Sequence, residues 1–406
     1  MRMKFNKTGQ LLLVSAASLL AASLVTACGT LTVDFVFVTS SKAAGANNYG
    51  EVDVFEINSE SGFMRQIPTS PFPSGGRNPV AEALSADNLN LYVVNHDDSS
   101  IVQFAIGNDG KLYPQNTVDT TGDAAHPGAA GIFPLAITVS GSNLFVANAY
   151  QPLPSCTPAS PCPGSVGVYP ISSSGALGAA VANGTVSYWP LTLSGSGSTD
   201  VILPTGVAAL ASGADLYVSA YDTTANTGYV FGFAIGSGGA LTPMSGSPWA
   251  VGTHPSALTG DPGSKYLYVT DYANGNVCGF AIASSGALTA LTGSPFATGN
   301  QPSAITADPT ASYIYVANSQ DSTVTAFALG SGPLTRIATF PTGLQPVAIG
   351  IDPSHHHFLF TADYLGGTVS GFELGSDGSL IGSQNSPYTA NAQPTAAVAI
   401  PHNGSN

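Results

Sequence analysis

The sequence predicts an all-β chain: a seven-bladed β-propeller with four antiparallel strands per blade, closed by its C-terminal strand. Three observations predict it. A strand–turn–strand pattern recurs seven times. A short apolar segment, led by a proline, precedes every copy but the first. The missing segment reappears at the far end of the chain.

The first member of the pattern is an apolar strand that ends in a polar turn. Its copies begin at Val36, Leu91, Leu144, Leu216, Leu267, Ile314 and Leu359. The second follows each of these, from Val52, Ile101, Val166, Val230, Val277, Val324 and Val369. The third is a turn glycine leading into an edge segment, as in Gly286-Ala287-Leu288 and Gly378-Ser379-Leu380. β-Branched and aromatic residues bounded by Gly, Asn and Asp are strand and hairpin chemistry.

The fourth member precedes the first, from Asn78, Phe133, Leu203, His254, Gln301 and Gln345. Its seventh copy starts at Gln393. Circular closure explains the displacement: the Gln393 to Ile400 strand becomes the innermost strand of the blade containing Val36. The interval from Leu144 to Leu216 is the longest, with extra residues around Cys156–Cys162 and from Ala179 to Leu203. Both read as surface insertions, the first lying over the loop-rich mouth.

Residues 1–27 read as a secretory signal. Arg2, Lys4 and Lys7 precede an apolar run from Leu11 to Val25, which is short for a permanent span. Val25-Thr26-Ala27-Cys28 resembles the lipobox of bacterial lipoproteins, which implies lipidation of Cys28 and a membrane anchor. Gly29, rather than Asp, resembles an outer-membrane sorting signal. The organisation is therefore signal 1–27, lipidated cysteine and tether 28–30, propeller 31–401 and tail 402–406. With so short a tether the mouth is expected to face away from the bilayer. Export also suits a Cys156–Cys162 disulfide, while Cys278 lies in a strand pattern as a buried thiol.

The chain holds 9 basic and 23 acidic residues, a net charge of −14, and losing the signal makes it more acidic. Nucleic acid is excluded as a partner on that ground. Gly and Pro are abundant, but 44% hydrophobic content is enough for a large core, so disorder is excluded too.

The units Leu267-Tyr268-Val269-Thr270-Asp271 and Ile314-Tyr315-Val316-Ala317-Asn318 resemble YVTN-type propeller repeats. With the trailing Gly-x-Leu segments, the chain from about residue 31 to 401 resembles the lactonase-like seven-bladed propellers, which include 6-phosphogluconolactonases. The resemblance implies a fold more than a function.

Propeller geometry places two sets of loops on one face. The first carries Arg77, Asn78, His254, Gln301, Gln345 and Gln393. The second carries Asn95, Asn148, Asp271, Asn318 and Asp363, followed by His96, Tyr221, Tyr272 and Tyr364. Amides, acids, histidines and tyrosines so gathered suit a sugar or another polar ring, although Asn and Asp at strand ends also serve as turn anchors. The expected ligand-binding set is Asn95, His96, Tyr221, His254, Asp271, Tyr272, Gln301, Asn318, Gln345, Asp363, Tyr364 and Gln393.

Lactone hydrolysis needs a base and donors for the developing oxyanion. The candidates are Glu82, Arg77, His96 and His254, with Glu82 either lining the channel, meeting Arg77 or displaced by a register slip. The sequence departs from the His, Arg and Glu pattern that the resemblance implies. His126 reads as a solvated loop residue and His355-His356-His357 as a turn on the opposite face. No cofactor and no metal site is expected.

Two functions stand. One is an extracytoplasmic, lipid-anchored propeller that binds a polar small molecule, glycan or envelope protein at its mouth. The other is a lactonase-like hydrolase opening a sugar lactone or related cyclic ester. An assembly factor in an outer-membrane complex is a third reading, by fold analogy.

Overall fold

The computed structural model describes residues 32–41, 49–58, 61–122, 128–193, 200–310, 312–352 and 358–401. The signal, Cys28, His126 and His355 to His357 lie outside them. No helix among the described residues is long and apolar enough to cross a membrane.

The strands form seven separate antiparallel sheets, each one blade. In the fifth blade the innermost strand Pro255–Gly260 pairs with Tyr266–Asp271, which pairs with Asn276–Ile282, which carries the edge strand Leu288–Ala290. The first blade is closed as expected. Gln393–Pro401 is its innermost strand, with Val38 opposite Ala397 and Phe37 opposite Val398.

Apolar residues of each central strand pair face both neighbouring blades, so the core is divided into seven clusters. One such cluster joins Val36, Val38 and Ala397 of the first blade to Phe360 and Val369 of the seventh. Burying such side chains stabilises by roughly 1.5–3 kcal/mol each. Because each cluster joins adjacent blades, closure of the ring leaves no blade face bare.

A polar staple recurs across these seams. Tyr92, Tyr217, Tyr268 and Tyr315 are buried, and each hydroxyl donates to a glycine carbonyl of the next blade: Gly175, Gly286, Gly332 and Gly378. Those glycines sit at φ between 77° and 119°, a region closed to most side chains. The turn glycine of the repeat thus turns the hairpin and presents an acceptor to its neighbour.

A second device lies at the outer edge, where four blades break the edge strand at a Ser-Pro. The serine hydroxyls of Ser70, Ser247, Ser294 and Ser386 accept the backbone N–H of Val54, Gly232, Gly279 and Gly371, each at 2.9 Å. The side chain supplies the acceptor that the interrupted strand lacks.

Candidate functional site

The mouth is built on one repeated turn. The residue after the second strand donates its N–H to the carbonyl of the residue before the inner-strand proline: His96 to Asn78, Tyr272 to His254, Ser319 to Gln301 and Tyr364 to Gln345, at 2.8–3.0 Å. This brings the two predicted loop sets together.

The polar row at the strand ends lies beneath the mouth surface. Asn95, Asp271, Asn318 and Asp363 are buried and spend their polar atoms inside the turn. Asn95 accepts from Ser74. Asn318 accepts from Thr298 and Gly299 and donates to Thr323 and Thr325. Asp363 accepts from Thr361, Thr368 and Ser370, while its burial pushes its carboxyl above the ordinary aspartate value. Asp271 accepts the N–H of both Thr253 and His254. These four anchor turns and do not reach the mouth surface. Gln301, Gln345, Gln393 and Tyr364 are half-buried on it.

Blades three and four depart from the common turn. In blades two, five, six and seven the second strand stops at the polar residue: Asn95, Asp271, Asn318 and Asp363. In blade three it runs on to Tyr150, opposite Ile132. In blade four it reaches Asp222, opposite Ile202, so Tyr221 faces Leu203 across the extended hairpin. This explains Ala220 at the repeat's polar position: the turn acid is Asp222, whose carboxylate accepts from Thr224 and Ala225.

The extension creates an aromatic wall. His254 sits between Tyr221, 4.1 Å away by ring centroids, and Tyr272, at 5.5 Å. With Leu135, Leu203, Thr205 and Ser256 they line a cleft of about 300 Å³. Asp271 holds the His254 backbone and so fixes where the ring stands. Burial holds the imidazole below the ordinary histidine value, opposed by the Asp271 charge, and so favours its uncharged form. Two hydroxyls of the cleft are engaged: Ser256 donates to the Pro302 carbonyl and Thr205 shares a hydrogen bond with Ser219.

Further round the mouth, His96 stacks on Phe133 at 5.0 Å, with 16° between the planes. Phe133 meets Tyr150 edge-on at 6.0 Å. Sequence reasoning placed His96, Tyr221, His254 and Tyr272 at the mouth but missed the roles of Phe133, Leu135 and Leu203. The signal was present: Phe133 and Leu203 are apolar where the other inner strands are led by Asn, His or Gln.

The catalytic candidates do not converge. Arg77 pairs with Asp98, through its backbone N–H and its Nε at 2.7 and 2.6 Å, and not with Glu82. His96 Nδ1 lies 2.7 Å from the Asp97 carboxylate. Glu82 keeps the common register, opposite Val93 as Leu258 is opposite Val269, so there is no register slip. It is buried against the first blade, where Oε2 accepts from the Thr39 hydroxyl, and Oε1 has no partner among the described residues. Burial pushes its carboxyl up to about 8, opposed by hydrogen bonds from Thr39 and Val398. Among the described residues no three His, Cys, Asp or Glu side chains gather as a metal centre.

Cys156 and Cys162 form a disulfide with 5.2 Å between their Cα atoms, in the loop after the extended strand of blade three. Cys278 is a buried free thiol. A second cleft, about 380 Å³, lies at the outer edge of blades three and four, lined by Trp189, Phe231 and Leu241 among others. It is larger than the mouth cleft. However, the Trp189 Nε1 is already bonded to the Leu241 carbonyl, and the cleft has no titratable side chain in its lining.

Fold and mouth together define a seven-bladed β-propeller with an aromatic cleft at one face. Residues 284–402 match the family model described as a lactonase, 7-bladed beta-propeller. No curated protein matches the chain by sequence. Among solved structures it is similar to a Bacteroides fragilis protein assigned provisionally as a 6-phosphogluconolactonase. The identity is 22% and the TM-score 0.72, over 91% of this chain and 99% of that one. The Pseudomonas aeruginosa periplasmic gluconolactonase is also similar, at 18% identity and a TM-score of 0.71, over 90% and 99% of the two chains. Identities this low establish a common fold and leave the chemistry to the site.

Proposed function

We propose that this chain is an extracytoplasmic, lipid-anchored propeller that binds a sugar or similar polar ring in the cleft between Tyr221, His254 and Tyr272. The carrying observation is the clamp itself: Tyr221 and Tyr272 flank the His254 imidazole at the edge of a cleft with mostly apolar walls. A sugar ring has apolar C–H faces and a polar rim, and a cleft of apolar walls with a few fixed polar groups suits it. Arg77 is held by Asp98, and the chain is strongly acidic, so a neutral ring is favoured over a phosphorylated one.

Hydrolysis of a lactone is the second reading, favoured by the family-model match and by the gluconolactonase neighbour. In it the neutral His254 would take a proton from the attacking water. Glu82, Arg77 and His96 would have no part, since each is engaged elsewhere.

Saturation-transfer NMR with neutral monosaccharides, beside hydrolysis assays on aldonolactones with and without calcium, separates the two. The binding reading expects sugar signals that disappear in Tyr221→Ala and no lactone turnover above background. Turnover abolished by His254→Ala would replace it with the second reading. The anchor is tested separately: labelled palmitate should enter the wild-type protein and not Cys28→Ala.

A further inference from the structure

We propose that the mouth carries a second ring-binding subsite, formed by His96, Phe133 and Tyr150, and that with the neighbouring cleft it accommodates a neutral oligosaccharide chain rather than a single sugar. The inference rests on the sugar-binding reading above and extends it to the length of the ligand.

Phe133 is the starting point. The residues before the inner-strand prolines at Asn78, Phe133, Gln301 and Gln345 all sit at φ between 52° and 58°. This left-handed region suits asparagine best and disfavours bulky side chains. Three of the four blades use an amide there, and blade three uses phenylalanine. Its backbone is held in place by Ser99, whose hydroxyl accepts the Phe133 N–H at 3.1 Å, as Ser322 accepts that of Gln345 at 3.2 Å. The ring gains little burial for this strained placement. It is half-buried, and so are His96 and Tyr150, the two rings it meets. Bulky residues held at positive φ are uncommon, and such strained positions cluster at ligand sites.

What faces the mouth is a platform. His96 and Phe133 stack near-parallel and Tyr150 meets Phe133 edge-on, which gathers three half-buried rings on this side of the mouth. A polar rim lies beside it: the Asp97 carboxylate, 43% exposed, is bonded to His96 and to the Asn78 amide. That combination matches the C–H face and hydroxyl edge of a pyranose.

The platform is continuous with the cleft. Leu135, two residues beyond Phe133 on the same strand, lines it. Tyr150 and Tyr221 both lie on the strand extensions that blades three and four add at the mouth. Aromatic side chains therefore form two groups on neighbouring blades, His96–Phe133–Tyr150 and Tyr221–His254–Tyr272, while Gln301, Gln345 and Gln393 occupy the remaining arc. A single sugar covers one of these groups. Net charge of −14 sets the ligand's character as an uncharged chain, since a polyanion is repelled.

Calorimetric titration of the mature protein with arrays of neutral oligosaccharides, from one to six residues and of several linkages, tests this. Affinity should rise about tenfold between the monosaccharide and the tetrasaccharide, as an added stacked ring predicts. Phe133→Asn should abolish that gain, leave monosaccharide binding unchanged and not lower the melting temperature, because Asn already serves this backbone position at Asn78. His96→Ala should reduce the gain in the same way. Affinity independent of length, or a gain that persists in Phe133→Asn, overturns the second subsite while leaving the single-ring reading intact. Absence of binding at every length overturns both.

Discussion

Glu82 stands where other inner strands place Leu258, Ile305 or Ile349, yet its carboxyl is buried beside Thr39. Burial raises it from the ordinary 4.5 to about 8. The folded chain therefore keeps a proton that the unfolded chain releases above pH 4.5. This group's contribution to stability is full below that pH and is lost as the pH rises through about 8, by on the order of 5 kcal/mol. Glu82→Gln preserves an acceptor for Thr39 and removes the ionisation. Thermal unfolding at pH 5 and pH 9 should show the wild-type midpoint falling further than that of Glu82→Gln. Equal falls would show that Glu82 does not titrate in this window. Asp53, raised by burial to about 6 and aided by the Glu51 charge, acts in the same direction in both proteins, so the difference isolates Glu82. His254 illustrates the opposite use of a titratable group. Its uncharged form is favoured by burial and its ring is aimed at the mouth by a backbone that Asp271 fixes, so Asp271→Ala should weaken ligand binding several-fold without touching ligand. Unchanged affinity in that variant, measured by the same titrations, would remove the positioning role.

The strands and hairpins were legible because their chemistry repeats. Each strand core, turn glycine and inner-strand proline recurs in a fixed order, and repetition separates a pattern from chance. The sequence could not show what the repeats do to each other. Tyr268 reads as one more strand aromatic until its hydroxyl meets Gly332 in the next blade. Ser294 reads as a loop residue until it accepts the Gly279 N–H. Asn318 was expected at the mouth and is sealed in its turn, since alternation along a strand does not tell which end residues close over. Tyr221 was placed correctly, but the two-residue lengthening of the blade-four hairpin that raises it was hidden in the misaligned Ala220. Tyr268→Phe should keep the packing and lose one buried hydrogen bond, costing about 1 kcal/mol in denaturant unfolding. A loss near zero would mean that the staple is replaced by water.

The whole ring is held by a strand from the far end of the chain. Gln393–Pro401 supplies Ala396, Ala397, Ala399 and Ile400 to buried seams. The Thr395 hydroxyl also donates to the Pro79 carbonyl of the second blade, at 2.9 Å. Deleting residues 393–406 should lower the unfolding midpoint by on the order of 10 °C or abolish the cooperative transition. An unchanged midpoint would contradict closure. The same strand pairing orients the molecule: the first strand starts opposite Pro401 and ends opposite Gln393 at the mouth. A chain tethered at its start would thus present the aromatic belt away from the anchoring surface, where a soluble glycan can reach it. The central claim is that this belt, and not the larger outer-edge cleft beside Trp189, is where the ligand sits. The most direct measurement is a crystal structure of the mature protein soaked with the tightest-binding sugar from the titrations. Density for a sugar ring is expected between Tyr221 and Tyr272, in contact with His254. Density in the outer-edge cleft with an empty mouth would contradict that claim.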